Sequence, residues 1–289
     1  MIFSFAVDTL LVIMLNQYSR SALLVGREKL HKLWNKRVII FGIGGVGGNV
    51  VESLARFGIG SFDLVDDDLV CLTNINRQIL ATRKTYGRYK IDVAEERIHE
   101  INPKIIVNKH QTFYLPDKKE EFDFSSFDYV IDALDTVTAK LSIIESAKKE
   151  NVPVISARGC GNRLDPTKLV LCDVFETKGD PLSKVRRREL RKRGITSLKV
   201  VASTEPPTRP DPNETEDSCL YHCVCPPNTK RKCTERRDIP GSTSFVPPVA
   251  GTLIGYQVAK DLRETKEDPN RQREDNPFVE DKKPTAHNL

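Results

Sequence analysis

Short apolar runs alternate with longer amphipathic segments through the first half of the chain. Five of these runs are typical of buried strands: RVIIF (37–41), SFDLVD (61–66), IIVNKH (105–110), DYVIDA (128–133) and VPVISA (152–157). Three segments between them have the apolar spacing of helices: 45–57, 84–101 and 136–150. Strands that alternate with helices in this way indicate an α/β fold with a parallel, doubly wound, Rossmann-like sheet.

The pattern changes in the second half. KLVLCDV (168–174) and LKVVAS (198–203) are also predicted strands, and we expect them to give that half of the sheet mixed or antiparallel character. Residues 205–240 are rich in Pro, Cys and charge, which predicts a loop, and residues 245–262 predict a closing amphipathic helix. One more helix is expected over 19–34, with Leu23, Leu24, Leu30 and Leu33 on one side.

The two ends of the chain differ from this central part. We expect one domain over residues 17–265, an N-terminal extension over 1–16 and a polar, disordered tail over 266–289. The apolar start is too short to span a bilayer, and Asp8 interrupts it. We expect translation to begin at Met14; a weak membrane-surface anchor is the alternative.

Composition restricts the function only loosely. The net charge of +5 on 289 residues permits a polyanionic partner without requiring one. Seven cysteines, an odd number, and a start without the basic leader of a secretory signal indicate a reducing compartment, so we expect a cytoplasmic protein.

A glycine-rich loop follows the first predicted strand. Gly42, Gly44 and Gly47 form the pattern GxGxxG, and Gly45 lies within it. Glycines let the backbone approach a phosphate, and the start of the next helix supplies N–H donors. Asp66 ends the second predicted strand, where an acid commonly binds a ribose hydroxyl. These features predict a nucleotide site, and they do not choose between NAD and ATP.

The residues after Asp66 do not suit a hydride-transfer enzyme. The stretch DDDLVCLTNINRQ and the following GRYK supply polar and cationic side chains that could surround phosphates: Asp68, Asn74, Asn76, Arg77, Gln78 and Lys90. Asp132 and Asp135 come from the carboxyl end of the fourth strand, at the edge where open sheets bind ligands. A carboxylate beside a phosphate chain is repelled unless a divalent cation lies between them, so Asp135 implies Mg²⁺. This combination predicts phosphoryl or nucleotidyl transfer.

The motifs GIGGVGG, DDDLVCLTNINRQ, GRYK and VIDALD together resemble the ThiF/MoeB family, bacterial relatives of ubiquitin-activating enzymes that adenylate a carboxylate with Mg-ATP. The resemblance implies that Gly44 and Asp66 hold the nucleotide, and that Asp135 holds Mg²⁺. It also implies that Asn74, Arg77 and Lys90 hold phosphates. QYSRSALLVG resembles the family's N-terminal segment, in which Arg20 would reach the ATP site of the partner in a homodimer.

The second half resembles one branch of that family, the tRNA threonylcarbamoyladenosine dehydratases, through LDPTKLVLCDVFETKGDPLSKVRRRELRKRG, STE and IPGSTSFVPPVAGTLIG. These enzymes use ATP to cyclise a modified adenosine next to the anticodon. IPGS stands where the best-known enterobacterial pattern has a cysteine, which puts an obligatory catalytic thiol in doubt. Two alternatives remain: an adenylyltransferase for a small sulfur-carrier protein, working with sulfur-transfer proteins, and a non-catalytic nucleotide-binding scaffold.

Two further clusters bear on partners and metals. A basic segment is expected to contact the tRNA backbone, and not DNA: Lys184, Arg186, Arg187, Arg188, Arg191, Lys192 and Arg193. A second cluster has a spacing that could hold zinc or an iron–sulfur centre: Cys219, Cys223, Cys225 and Cys233. Free or redox-active thiols are the interpretation that we favour for these four cysteines.

Overall fold

The computed structural model describes most of the chain between residues 15 and 265. The described residues are 15–177, 181–208, 211, 219, 221–231, 239–265 and 273, and only the backbone is described for 181–186. The expectations for residues 1–13 and for the tail as a whole therefore lie outside the described residues, as does Cys233.

One seven-stranded sheet forms the centre of the molecule, in the order β3-β2-β1-β4-β5-β7-β6. Its strands are β1 (Arg37–Phe41), β2 (Ser61–Val65), β3 (Ile106–His110), β4 (Tyr129–Asp132), β5 (Val154–Arg158), β6 (Leu169–Asp173) and β7 (Lys199–Ser203). All neighbouring strands are parallel except β6, which runs antiparallel to β7 at the edge. The predicted doubly wound sheet with mixed character in its second half is confirmed.

Helices cover both faces of the sheet. They are α1 (Ser19–Val25), α2 (Arg27–Trp34), α3 (Gly47–Phe57), α4 (Lys90–Ile101), α5 (Val137–Lys149), α6 (Pro181–Lys192) and α7 (Val246–Glu264). Side chains alternate across β1, so that Val38 and Ile40 join the apolar layer containing Leu54 and Ile254. Ile39 and Phe41 join the opposite layer with Tyr114 and Phe122.

The prediction of one helix over 19–34 is wrong. Gly26 has φ +86° and separates α1 from α2, because a residue with positive φ cannot continue a right-handed α-helix. The two helices also bury different amounts of apolar surface. Leu30 and Leu33 on α2 are fully buried, whereas Leu23 and Leu24 on α1 are 86% and 87% exposed.

A buried carboxylate fixes the register of three neighbouring strands. Asp63 on β2 is fully buried and accepts hydrogen bonds from Arg37 on β1 (2.7 and 2.9 Å). From β3 it is contacted by the ring of His110 (2.8 Å) and the amide of Asn108 (3.2 Å). Burial by itself raises the pKa of Asp63, but the contacts with His110 and Arg37 together outweigh it and hold the pKa below its usual value.

We predict that Asp63→Asn destabilises the fold by about 2 kcal/mol at neutral pH, because the amide cannot balance the Arg37 charge. The carboxylate's contribution is complete above the unfolded-chain pKa of about 4 and is lost as pH falls through the lower folded-state pKa. The difference between wild type and variant in urea unfolding should therefore shrink in acid. Asp117→Asn, at an exposed carboxylate, is the control. Equal stability of Asp63→Asn and wild type at neutral pH would contradict this role.

Candidate active site

The glycine loop connects β1 to α3 at the carboxyl edge of the sheet. Gly42 has φ +89°, which favours glycine, and a Cβ on Gly47 would lie 1.8 Å from the Gly42 carbonyl oxygen. Only glycine allows this close approach of the two backbone segments. The N-terminus of α3 is thereby held against the end of β1, in the position from which helix N–H groups bind phosphates.

Asp66 ties this loop to the end of β2. Its carboxylate accepts hydrogen bonds from the backbone N–H of Ile43 (2.7 Å) and of Asp68 (2.8 Å). The pKa of Asp66 is raised, chiefly because the group is removed from water, while the charge of Lys90 acts in the opposite direction. Each oxygen keeps a lone pair that could accept a ribose hydroxyl.

The acids that follow Asp66 are paired with cations. The carboxylates of Asp66, Asp67 and Asp68 lie within 4.8 Å of one another. Lys90, which is 6% exposed, donates to Asp68 (2.8 Å), and Arg231 contacts both Asp67 and Asp68. Arg231 comes from the Cys-rich loop, and its part in the site was not predicted from the sequence.

The NINRQ segment lies directly against the glycine loop. A Cβ built on Gly45 would be 3.6 Å from Cγ of Arg77, and one on Gly44 would be 3.8 Å from Nε2 of Gln78. The Arg77 guanidinium donates to the Thr73 carbonyl (2.8 Å). Arg77 and Gln78 therefore border the glycine loop.

Asn74 has a local role in the same segment. Its side-chain oxygen accepts a hydrogen bond from the backbone N–H of Cys71 (3.1 Å) and so closes a short 3₁₀ turn. The structure shows this turn contact for Asn74, a residue that the family resemblance assigns to phosphate binding.

The two aspartates at the end of β4 have different surroundings. Asp132 is fully buried and accepts hydrogen bonds from Lys140 (2.8 Å) and Ser156. Burial lowers the pKa of Lys140, and the Asp132 charge counteracts that effect. Asp135, in contrast, is exposed. One such carboxylate together with substrate phosphates fits the usual ligand set of Mg²⁺.

Arg20 lies near the C-terminal end of α3, whereas the glycine loop lies at the N-terminal end of that helix. The Tyr18 hydroxyl, just before α1, donates to the Ala55 carbonyl in the last turn of α3 (3.3 Å). Roughly 12 Å of helix separates that turn from Gly47 at the start of α3. The structure therefore does not bring the exposed Arg20 to the glycine loop of its own chain.

Several cations of the basic segment already have intramolecular contacts. Arg187 donates to the Thr177 carbonyl (2.7 Å), and the Arg191 guanidinium lies 4.8 Å from the Phe175 ring centroid. Lys192 and Arg193 form ion pairs with Glu189. Arg188 is exposed, and the side chains of Lys184 and Arg186 lie outside the described residues.

Among the cysteines of the 205–240 loop that the structure describes, no three come close enough to share a metal ion. These are Cys219, Cys223 and Cys225. In the described part of the chain, no helix combines the length and the apolar character needed to cross a membrane.

Comparisons with known proteins agree on one family. The model of the ThiF family matches residues 18–277. The tRNA threonylcarbamoyladenosine dehydratase of Bacillus subtilis (strain 168) is 39% identical over 252 residues, which are 86% of this chain and 95% of that protein. The dehydratase of the same name from Haemophilus influenzae is 40% identical over 187 residues, 62% of this chain and 72% of its own length.

A solved structure resembles the whole fold. The crystal structure of Escherichia coli tRNA N6-threonylcarbamoyladenosine dehydratase, TcdA, in complex with ATP has a TM-score of 0.71 and 29% sequence identity. The alignment covers 85% of this chain and 93% of the crystallised chain.

Proposed function

The chain belongs to the ThiF family, and on that premise we propose that it is an ATP-dependent tRNA threonylcarbamoyladenosine dehydratase. It would activate the threonyl carboxylate of threonylcarbamoyladenosine next to the anticodon and close it to the cyclic oxazolone. The observation that carries the proposal is the extent of the similarity to the Bacillus subtilis dehydratase. That similarity spans 86% of this chain, and so extends well beyond the nucleotide-binding half.

The reaction has two steps. First, a carboxylate oxygen bonds to the α-phosphorus of ATP while the bond from that phosphorus to the bridging oxygen breaks, and pyrophosphate leaves. Next, the carbamoyl oxygen attacks the activated carbonyl carbon to close the oxazolone ring, and a carbamoyl nitrogen loses its proton as the C=N bond forms. AMP then leaves with one oxygen of the former carboxylate.

The residues around the glycine loop suit the first step. The N-terminus of α3 would hold the phosphates, and Asp66 the ribose. Arg77 borders the loop, Lys90 lies beside Asp66 and Asp68, and both would stabilise the charge that develops on the α-phosphate. Asp135 would hold Mg²⁺, which supplies neutralisation of the phosphate charge when bound. Asp132 would hold the side chains of Lys140 and Ser156 in place at this edge of the sheet, without itself touching the nucleotide.

The basic helix α6 would contact the tRNA backbone. Arg188 is its best-placed described cation, because it is exposed and Arg187 and Arg191 are engaged with Thr177 and Phe175. The proposal includes a reducing, cytoplasmic location, as expected from the cysteine content of the sequence.

The direct test combines the enzyme with Mg-ATP and tRNA that carries threonylcarbamoyladenosine. The product nucleoside should lose one water, about 18 mass units, because AMP departs with a carboxylate oxygen. Asp135→Asn should lower turnover by about two to three orders of magnitude, since a metal ligand at an electrostatic site is lost, while the fold is kept.

Glu150→Gln, at an exposed carboxylate after α5, is the matched control and should turn over normally. An unchanged nucleoside, together with adenylation of a Gly-Gly-tailed carrier protein, would replace the proposal with the sulfur-carrier alternative. Absence of both reactions, with ATP still bound, would favour the scaffold alternative.

We also propose a homodimer in which Arg20 serves the partner's ATP site. Two apolar side chains on α1, Leu23 and Leu24, are almost fully exposed, and a second copy of the chain would cover them. Arg20 lies on the same short helix, at the end of α3 away from its own glycine loop.

The prediction is complementation between two inactive variants. Arg20→Ala and Asp135→Ala should each be inactive as pure proteins, because each lacks one part of every site. Mixed dimers should regain activity, since one of their two sites contains both Arg20 and Asp135. Subunit exchange is verified with differently tagged chains. A mixture that exchanges subunits and stays inactive would show that Arg20 does not act across the dimer.

A further inference from the structure

A cavity of about 120 Å³ lies beside the site, at the carboxyl end of β5. It is lined by Asn162, Arg163, Leu164 and Thr208 on one side and by residues 241–243 on the other. At roughly 30 Å³ per water molecule, the space corresponds to about four waters. A group of a few heavy atoms fits such a volume, whereas a complete nucleoside does not.

Asn162 builds the walls of this cavity. It has φ +56°, a conformation that asparagine tolerates, and its backbone N–H donates to the Gly241 carbonyl (2.8 Å). Its side-chain oxygen accepts from the Gly241 N–H (2.6 Å), and its carbonyl accepts from the Thr208 N–H (2.8 Å). Three chain segments are therefore fixed around one opening.

The cavity adjoins the predicted nucleotide site through two contacts. The Ser242 carbonyl accepts a hydrogen bond from the side chain of Asn76 in the NINRQ segment (2.8 Å). Cys160 lies near both Asp135 and Arg163: the pKa of its thiol is raised to about 12, chiefly by burial and also by the Asp135 charge, while the charges of Lys140 and Arg163 act in the opposite direction. A group in the cavity would thus lie beside Asp135 and the NINRQ segment.

Arg163 is the unusual residue of this cavity. It is only 5% exposed, yet within the described ranges its Nε has no hydrogen-bond acceptor and it forms no ion pair with an acid. Within the described ranges it donates a long hydrogen bond from Nη1 to the Asn162 carbonyl (3.3 Å). A buried guanidinium is costly unless an anion accompanies it.

We propose that Arg163 binds the carboxylate of the threonylcarbamoyl group and that the cavity receives this group from the tRNA. The inference rests on the proposed dehydratase function and identifies how its substrate is held. A guanidinium presents a planar set of donors that matches a carboxylate. It would offset the repulsion between the substrate carboxylate and the ATP phosphates, and it would select tRNA that carries the modification.

The test compares the affinity of the enzyme, without ATP, for one tRNA prepared with and without threonylcarbamoyladenosine. Wild type should prefer the modified tRNA. Arg163→Met should lose about 10- to 100-fold in affinity for the modified tRNA, the usual value of a charged hydrogen-bonded pair, and little for the unmodified one. Arg188→Met is the matched control and should weaken binding of both tRNAs equally, because a phosphate contact carries no information about the base.

Folding does not confound this comparison. Methionine is unbranched like the stem of arginine, has a similar volume and leaves no unpaired donor in the cavity, so thermal unfolding and ATP affinity should stay close to wild type. Should Arg163→Met unfold, Arg163→Lys keeps the charge without the planar fork. The KM of that variant for modified tRNA should then rise with its ATP affinity unchanged.

The outcomes separate this inference from the proposed function. A wild-type enzyme that dehydrates the modified tRNA, with Arg163→Met showing unchanged preference and KM, would overturn the role of Arg163 and leave the function intact. A wild-type enzyme that fails to dehydrate the modified tRNA would instead remove the function on which the inference rests.

Discussion

The carboxylate of Asp66 holds the two halves of the nucleotide site together. It accepts one hydrogen bond from the glycine loop, at Ile43, and one from the acidic segment, at Asp68. Because the group is largely removed from water, these contacts fix it in one place, and the loop, the Lys90–Asp68 pair and the NINRQ segment are positioned around it.

Charge balance organises the rest of this edge. Asp132 is neutralised by Lys140, and Asp67 and Asp68 by Arg231 and Lys90, which leaves Asp135 as the acid exposed toward solvent at the end of β4. On the far side of the cavity, Arg163 is a buried cation with an Nε that no described acceptor reaches. A buried cation that would bind one carboxylate, next to the proposed site for a triphosphate, would suit adenylation of a carboxylic acid.

The sequence predicted most of the sheet because strand and helix periodicities are local properties. Seven strands and the helix positions follow from them, but the break at Gly26 does not, because the apolar spacing continues across it on both sides. The partnership of Arg231 with Asp67 also escaped prediction, since 164 residues separate them and no local pattern links them.

Those parts of the candidate site that the sequence predicts also depend on local patterns. The glycine loop, Asp66 and the NINRQ segment lie close together in the chain and share a recognisable pattern. Asp132 and Asp135 are equivalent in sequence terms, and only the position of Lys140 in the folded chain separates a buried ion pair from an exposed acid. Arg163 follows β5 as Asp135 follows β4, so the rule for carboxyl ends of strands could have found it.

The most direct measurement of the proposed chemistry follows one oxygen atom. The enzyme is given Mg-ATP and tRNA whose threonylcarbamoyladenosine carries ¹⁸O in its carboxylate, and the AMP released is analysed by mass spectrometry. Activation by adenylation predicts that AMP gains one labelled oxygen, because the carboxylate attacks the α-phosphorus and AMP leaves with the oxygen that made the bond. Unlabelled AMP, or label recovered in inorganic phosphate, would contradict attack at the α-phosphorus and with it the proposed role of this site.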